Sequence, residues 1–287
     1  MKNLIKKNLF KLLLIVLFIP TILSAQEKRE SKQKDTSIGY TVYGNGTDKI
    51  IVLHSWNGDA ESWKPILPYA NLEKYTYVFM DVRGYGKSKM IKGTYTSDEI
   101  ANDVFKLVDN LGIEKFYLMG HSMTGIAVQK AALIDKDQRI KKVIAVAPVS
   151  SAGLPVDEKG INFFKSVVGN YEMTKVAFNA FSGDRLSDKW VSMRAKRNIE
   201  KTDQKAQMAY IKMVTEENFL KQMKEVKTPF LVITGKYDNP DFVASVQKRS
   251  FDTFQNVEFL DIETSGHFPM QETPIFFTTS IEKYLTK

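Results

Sequence analysis

The chain of 287 residues contains no cysteine and only three histidines. Without cysteine there is no disulfide framework, no thiolate metal site and no residue near the amino end that a lipid could acylate. With three histidines, a base for proton transfer has few places to be. Also missing is an arginine-rich stripe with interleaved aromatics. Lys196, Lys201, Lys205 and Lys221 are scattered among acidic residues, as on a solvated helix face, which argues against a nucleic-acid partner. Long apolar runs are absent as well: the run Leu12 to Ile19 falls short of the roughly 20 residues that a bilayer-spanning helix needs.

That run fits an export signal instead. Lys2, Lys6, Lys7 and Lys11 precede it, and Leu23-Ser24-Ala25 follows, ahead of Gln26. The expectation is a signal peptide over residues 1–25, a periplasmic or secreted mature protein, and no stable membrane anchor after cleavage. The four lysines supply half of the formal charge of +8, so the mature chain is only mildly basic. Taking 25 residues from 287 leaves the size of one α/β domain that carries an insertion.

Short runs rich in branched residues recur along the mature chain: Ile50 to Leu53, Tyr75 to Met80, Phe116 to Met119, Lys142 to Ala147, Pro229 to Thr234 and Val257 to Asp261. Helical spacing falls between several of them, over Thr96 to Leu111, Ile126 to Ile134, Asp241 to Phe251 and Ile275 to Leu285. Alternation of this kind predicts an α/β fold, a mostly parallel central sheet with helices on both faces. It breaks between Ser150 and Val226, where the pattern turns helical, as in Ala206, Met208, Tyr210, Ile211, Met213 and Val214. The expected organisation is a core made of residues 26–150 and 226–287, with a helical cap over residues 151–225.

Gly120-His121-Ser122-Met123-Thr124-Gly125 places a serine between a buried strand and a helix, the context of a nucleophile elbow. A serine hydroxyl is a weak nucleophile at neutral pH, so it must stand exposed on a tight turn beside a base. Alone, the segment fits an ordinary helix N-cap equally well. The other histidines shift the balance. His54 ends a strand and is expected to have a structural role, and the ring of His121 is expected to point away from the hydroxyl's partner. His267, in a loop after the last strand, is the base by elimination. The acid that orients it is best assigned to Asp238, after the strand Phe230 to Thr234, because the preceding strand ends in Ala147-Pro148-Val149-Ser150 with no carboxylate. Asp241 is the alternative, although it reads as the N-cap of the following helix.

These segments together resemble the α/β-hydrolase superfamily over nearly all of the mature chain. Asp81-Val82-Arg83-Gly84-Tyr85-Gly86-Lys87-Ser88 is similar to that family's D-x-R-G-x-G-x-S loop, Gly266-His267 with Glu272 and Pro274 to its G-H-x(4)-E-x-P ending, and Gly235 to Asp238 to its G-x-x-D acid. The resemblance implies an α/β-hydrolase fold, a Ser122–His267–Asp238 triad, and backbone N–H donors at Trp56 and Met123 for an oxyanion. It implies no catalytic role for the Asp81 to Ser88 loop, whose charges sit in structural pairs in that family. The chain departs from the pattern twice, with Thr124 where a glycine follows the serine by two, and with Ser55 after His54. Ser55 either narrows the approach of the backbone or adds a hydroxyl donor. Trp63 and the pair Phe276-Phe277 are expected in the core.

The activity this implies is hydrolysis of a small carboxylic ester through an acyl-enzyme, with a small-molecule substrate and no metal or organic cofactor. A serine at the elbow argues against branches that use a carboxylate nucleophile. The same triad also serves perhydrolase, lactonase, amidase and C–C hydrolase chemistry, and a non-catalytic ligand-binding protein is the rival of another class.

Overall fold

Parallel strands buried on both faces need apolar residues at every position, whereas a strand with one wet face alternates. The computed structural model, which describes residues 38–287, bears this out in the middle of a seven-stranded sheet. Its strands are β1 (Tyr40–Tyr43), β2 (Asp48–Leu53), β3 (Tyr75–Met80), β4 (Phe116–His121), β5 (Ile140–Val146), β6 (Phe230–Gly235) and β7 (Val257–Ile262). The order is β1-β3-β2-β4-β5-β6-β7, with β1 antiparallel to β3 and every other pair parallel. β3, β4 and β6 are buried throughout, while the edge strand β7 is mostly half-exposed or exposed. The expected signal peptide over residues 1–25, and the polar segment up to Ser37, lie outside the described residues.

Alternate side chains of the strands feed two apolar layers. Ile51, Leu53, Leu118, Val143 and Val232 pack on one face with helices α1 (Ser97–Asn110) and α2 (Met123–Ile134). Between β5 and β6 the chain runs through α3 (Glu158–Val167), α4 (Tyr171–Ser182), α5 (Asp188–Lys201) and α6 (Gln204–Glu216), and a short α7 (Ala244–Ser250) lies between β6 and β7. Ile50, Val52, Met119, Ile144 and Ile233 face the other way, against Trp63 and Ile66 of a 3₁₀ segment (Ala60–Tyr69) and against the last helices, α8 (Pro269–Glu272) and α9 (Pro274–Leu285).

The four helices between β5 and β6 each begin on a side-chain cap: Asp157, Asn170, Ser187 and Asp203 accept from the N–H groups of Gly160, Met173, Trp190 and Ala206. Each cap contributes about 1 kcal/mol. Two expectations are corrected, and one strand was not foreseen. Asp241 is no helix N-cap, because Pro240 starts a 3₁₀ turn whose cap is the Asn239 side chain, and α7 begins only at Ala244. Phe277 is core but Phe276 is 52% exposed, since neighbours on a helix are about 100° apart and cannot both face the sheet. Finally, β1 pairs on an edge that the sequence pattern did not signal.

Candidate active site

Because β2 to β7 run parallel, their carboxyl ends deliver their loops to one edge of the sheet, where sites on open α/β sheets form. β4 ends at His121, and Ser122 turns the chain into α2 with φ 54° and ψ −114°, a conformation costly for a side chain with a Cβ. Three main-chain hydrogen bonds hold it there. The N–H of Ser122 donates to the Val146 carbonyl at 2.9 Å, and the Ser122 carbonyl accepts from Gly125 at 2.8 Å and Val149 at 3.0 Å.

Thr124 leaves this turn undisturbed and closes it from within. Its Oγ1 accepts from the His121 N–H at 3.0 Å and donates to the His121 carbonyl at 3.1 Å. The close approach that demands a glycine lies on either side: a Cβ on Gly120 would meet the Thr124 carbonyl oxygen at 2.7 Å, and one on Gly125 would meet Pro148 at 2.4 Å.

His267 and Asp238 are brought together. The imidazole Nδ1 lies 2.9 and 2.8 Å from the two carboxylate oxygens, both side chains are buried, and the Asn239 N–H donates to Asp238 Oδ1 at 2.6 Å. Burial pushes the Asp238 carboxyl above its ordinary range, while the imidazole and the Asn239 N–H pull it back. Asp241 instead lines a separate recess with Pro148, Val246 and Gln247. With Nδ1 committed to Asp238, the Nε2 of His267 is the ring nitrogen left for another partner.

Ser122 and His267 line one cavity of about 490 Å³, its mouth included, together with Ser55, Trp56, Asn57, Met123 and a wall of apolar side chains. Met123 is the first residue of α2, so its N–H has no acceptor within the helix. Trp56 is fixed by its indole N–H, which donates to the Gln207 carbonyl on α6 at 2.8 Å. His54 sets the loop before it: its Nε2 accepts from the Val82 N–H at 3.1 Å, so Nδ1 carries the proton and donates to the Ser55 carbonyl at 2.9 Å. Burial holds the His54 pKa below its ordinary value, in keeping with this neutral form. The Ser55 hydroxyl is buried without a hydrogen-bond partner, close to Gly58.

The charges of the Asp81 to Ser88 loop are internal braces. Asp81 accepts from the N–H groups of Ala60 and Lys87 at 2.8 and 3.0 Å, and Arg83 forks onto Asp103 at 2.7 and 2.8 Å. One expectation is reversed: the His121 ring does not point away from His267 but packs 4.9 Å from its ring, with Nε2 2.7 Å from the His267 carbonyl oxygen. The cause is strand parity, which sends the residue before the serine to the face where the His267 loop and Trp63 lie.

Sequence reasoning assigned no role to Glu272, Phe181 or Arg185. Glu272 accepts from the N–H groups of Gly266 and Phe268 at 2.8 and 3.0 Å, on both sides of His267. The His267 N–H itself donates to the Phe181 carbonyl at the end of α4, at 3.1 Å. The spacing of Glu272 after Gly266-His267 was the only signal for any of these. Among the described residues no group of three His, Cys, Asp or Glu side chains could hold a metal ion, and no helix is long and apolar enough to cross a membrane.

Known proteins agree with this architecture. Over 114 residues the chain is 34% identical to the dihydrolipoyllysine-residue acetyltransferase component of the acetoin cleaving system of Cupriavidus necator, a match that covers 39% of this chain and 29% of that protein. Over 254 residues it is 25% identical to a 2-hydroxy-6-oxononadienedioate/2-hydroxy-6-oxononatrienedioate hydrolase of Paraburkholderia phymatum, covering 82% of this chain and 86% of the relative. An esterase structure from Exiguobacterium antarcticum is 17% identical and superposes with a TM-score of 0.77 over 87% of this chain and 95% of its own, a likeness of fold. A model of the family described as the alpha/beta hydrolase fold matches residues 49–274, and the chain belongs to that family.

Proposed function

We propose that the protein is a serine hydrolase that cleaves a carboxylic ester through an acyl-enzyme, with Ser122 as nucleophile, His267 as base and Asp238 as the acid that orients it. The observation that carries this reading is the pair of 2.8 and 2.9 Å contacts from Asp238 to His267 Nδ1, in the wall of the cavity where Ser122 stands on its strained turn. His267 Nε2 takes the Ser122 proton as Oγ attacks the ester carbonyl. Asp238 stays ionised and stabilises the imidazolium. The N–H groups of Trp56 and Met123 receive the oxyanion, each contributing about 3 kcal/mol to lowering the barrier. Collapse expels the alcohol, which leaves with the proton from His267, and water then repeats the steps to release the acid.

Helices α3 to α6 form the cap in this reading. Leu154, Phe164, Phe181, Ile211 and Val214 from this region line the cavity, and among the described residues no Lys, Arg, Asp or Glu lines it. An acid with a second carboxylate would be desolvated there without a partner, at a cost of several kcal/mol. The chemistry therefore favours esters of uncharged acids over the dioate for which the Paraburkholderia phymatum relative is named. The first 25 residues support export, with Gln26 as the mature N-terminus, which Edman sequencing of the exported protein tests.

A fluorophosphonate probe labels the wild-type protein and not Ser122→Ala; equal labelling of both removes Ser122 from the role. p-Nitrophenyl esters of straight-chain acids are turned over, while the half-ester of a dicarboxylic acid is a poor substrate. No labelling and no turnover would instead identify a non-catalytic binding protein.

A further inference from the structure

Arg185 follows the end of α4, past Gly183 and Asp184, which both take left-handed backbone conformations with φ of 65° and 53°. That double turn folds the loop back against the acid loop: a Cβ on Gly183 would lie 2.9 Å from the Tyr237 carbonyl oxygen. It places the Arg185 guanidinium between the two loops that carry His267 and Asp238. Nη1 donates to Glu272 Oε2 at 2.8 Å, Nη2 donates to the Thr264 carbonyl at 2.8 Å, and the group stacks over the Tyr237 ring with its carbon 4.2 Å from the centroid. Tyr237 immediately precedes Asp238, and Thr264 lies three residues before His267.

The Glu272 side chain is 2% exposed, and its carboxylate already accepts the N–H groups of Gly266 and Phe268. A buried carboxylate requires a compensating charge, and Arg185 provides it. Arg185 does not line the cavity, so it does not touch a substrate there. We infer that Arg185 is a positioning residue of the active site: from the inserted helical segment it clamps Glu272 and Thr264, and through them fixes the loop that aims His267 at Ser122. This rests on the triad reading above. The inserted segment then sets the alignment of the base as well as the shape of the cavity.

The test uses the mature protein and a neutral p-nitrophenyl ester. Arg185→Ala lowers kcat about 10- to 100-fold, the loss expected from misplacing a catalytic group, with KM within about twofold. Arg185→Lys, which keeps the charge but not the fork, falls between, and guanidinium at a non-denaturing concentration restores part of the Arg185→Ala rate. Glu272→Gln loses a similar factor, and the double variant is no worse than the poorer single one, because both remove the same clamp. The low-field NMR resonance of the proton between His267 and Asp238 broadens in Arg185→Ala, a readout that needs no turnover. An unchanged kcat and resonance in folded Arg185→Ala, or additive losses in the double variant, would overturn the inference. A wild type that neither turns over esters nor takes the fluorophosphonate label would overturn the triad reading instead, and the resonance would still decide the role of Arg185.

Discussion

The Nε2 of His121 lies 2.7 Å from the carbonyl oxygen of His267, so the residue before the serine holds the backbone of the residue proposed as base. A ring nitrogen that donates to a carbonyl carries the proton, and a neutral ring then leaves Nδ1 bare. The surroundings enforce neutrality: burial, and then the neighbouring His267, Arg194 and His54, push the His121 pKa well below its ordinary value.

Acid sensitivity follows. His121 and His54 both have folded pKa values below the ordinary 6.5, so the unfolded chain takes up protons that the folded one refuses. Their contribution to stability is complete above pH 6.5 and is lost as the pH falls through 6.5 toward the lowered folded values. Asp81 and Asp238, raised above 3.8, oppose this within the carboxylate range. Calorimetry should find that the Tm falls between about pH 7.5 and 5.5, with net proton uptake on unfolding. A Tm that rises, or net proton release, would contradict the assignment of both rings as neutral.

The two aspartates after β6 separate cleanly. Asp238→Asn should cost about 10³- to 10⁴-fold in kcat, because an amide in that place favours the wrong imidazole tautomer. Asp241→Asn, in its own recess, should stay within about twofold of wild type in the same ester assay. The reverse order would transfer the role to Asp241.

Ser122 stores backbone strain that glycine would not feel. Relief of that strain, about 1–3 kcal/mol, exceeds the extra chain entropy that glycine loses on folding. Ser122→Gly should therefore unfold at a higher denaturant midpoint than Ser122→Ala, both being inactive. Equal midpoints would mean that the turn is unstrained.

Thr124 is tied at both ends of its hydroxyl to His121. Thr124→Val keeps the shape but removes the hydroxyl that bonds the His121 N–H and C=O, at a cost of about 0.5–1.5 kcal/mol per bond, whereas Thr124→Ser keeps the bonds and loses only a methyl. Urea unfolding of the two variants distinguishes a brace from a packing residue: a larger loss for the serine variant would refute the brace.

Five strands, β2 to β6, were legible because parallel strands covered on both faces carry runs of apolar and branched residues, and β7 was legible from its apolar residues although it is a half-exposed edge strand. β1, Tyr-Thr-Val-Tyr on an antiparallel edge, carries no such signature in four residues. The pairing of Asp238 with His267 was readable from chain order and from the absence of competing residues. The His121 contact was not, because it depends on which face of β4 meets a loop that returns 146 residues later. Arg185 was equally silent: a lone arginine in a polar loop acquires meaning only when the double left-handed turn lays it across Glu272.

The Phe181 carbonyl, which receives the His267 N–H, has a consequence for remodelling the protein. Exchanging helices α3 to α6 for a foreign insertion is the obvious route to a new cavity, but the graft carries a geometric condition. It must return a main-chain acceptor to that one spot. An insertion chosen only for its inward-facing side chains would admit the new ligand and leave the His267 loop one bond short.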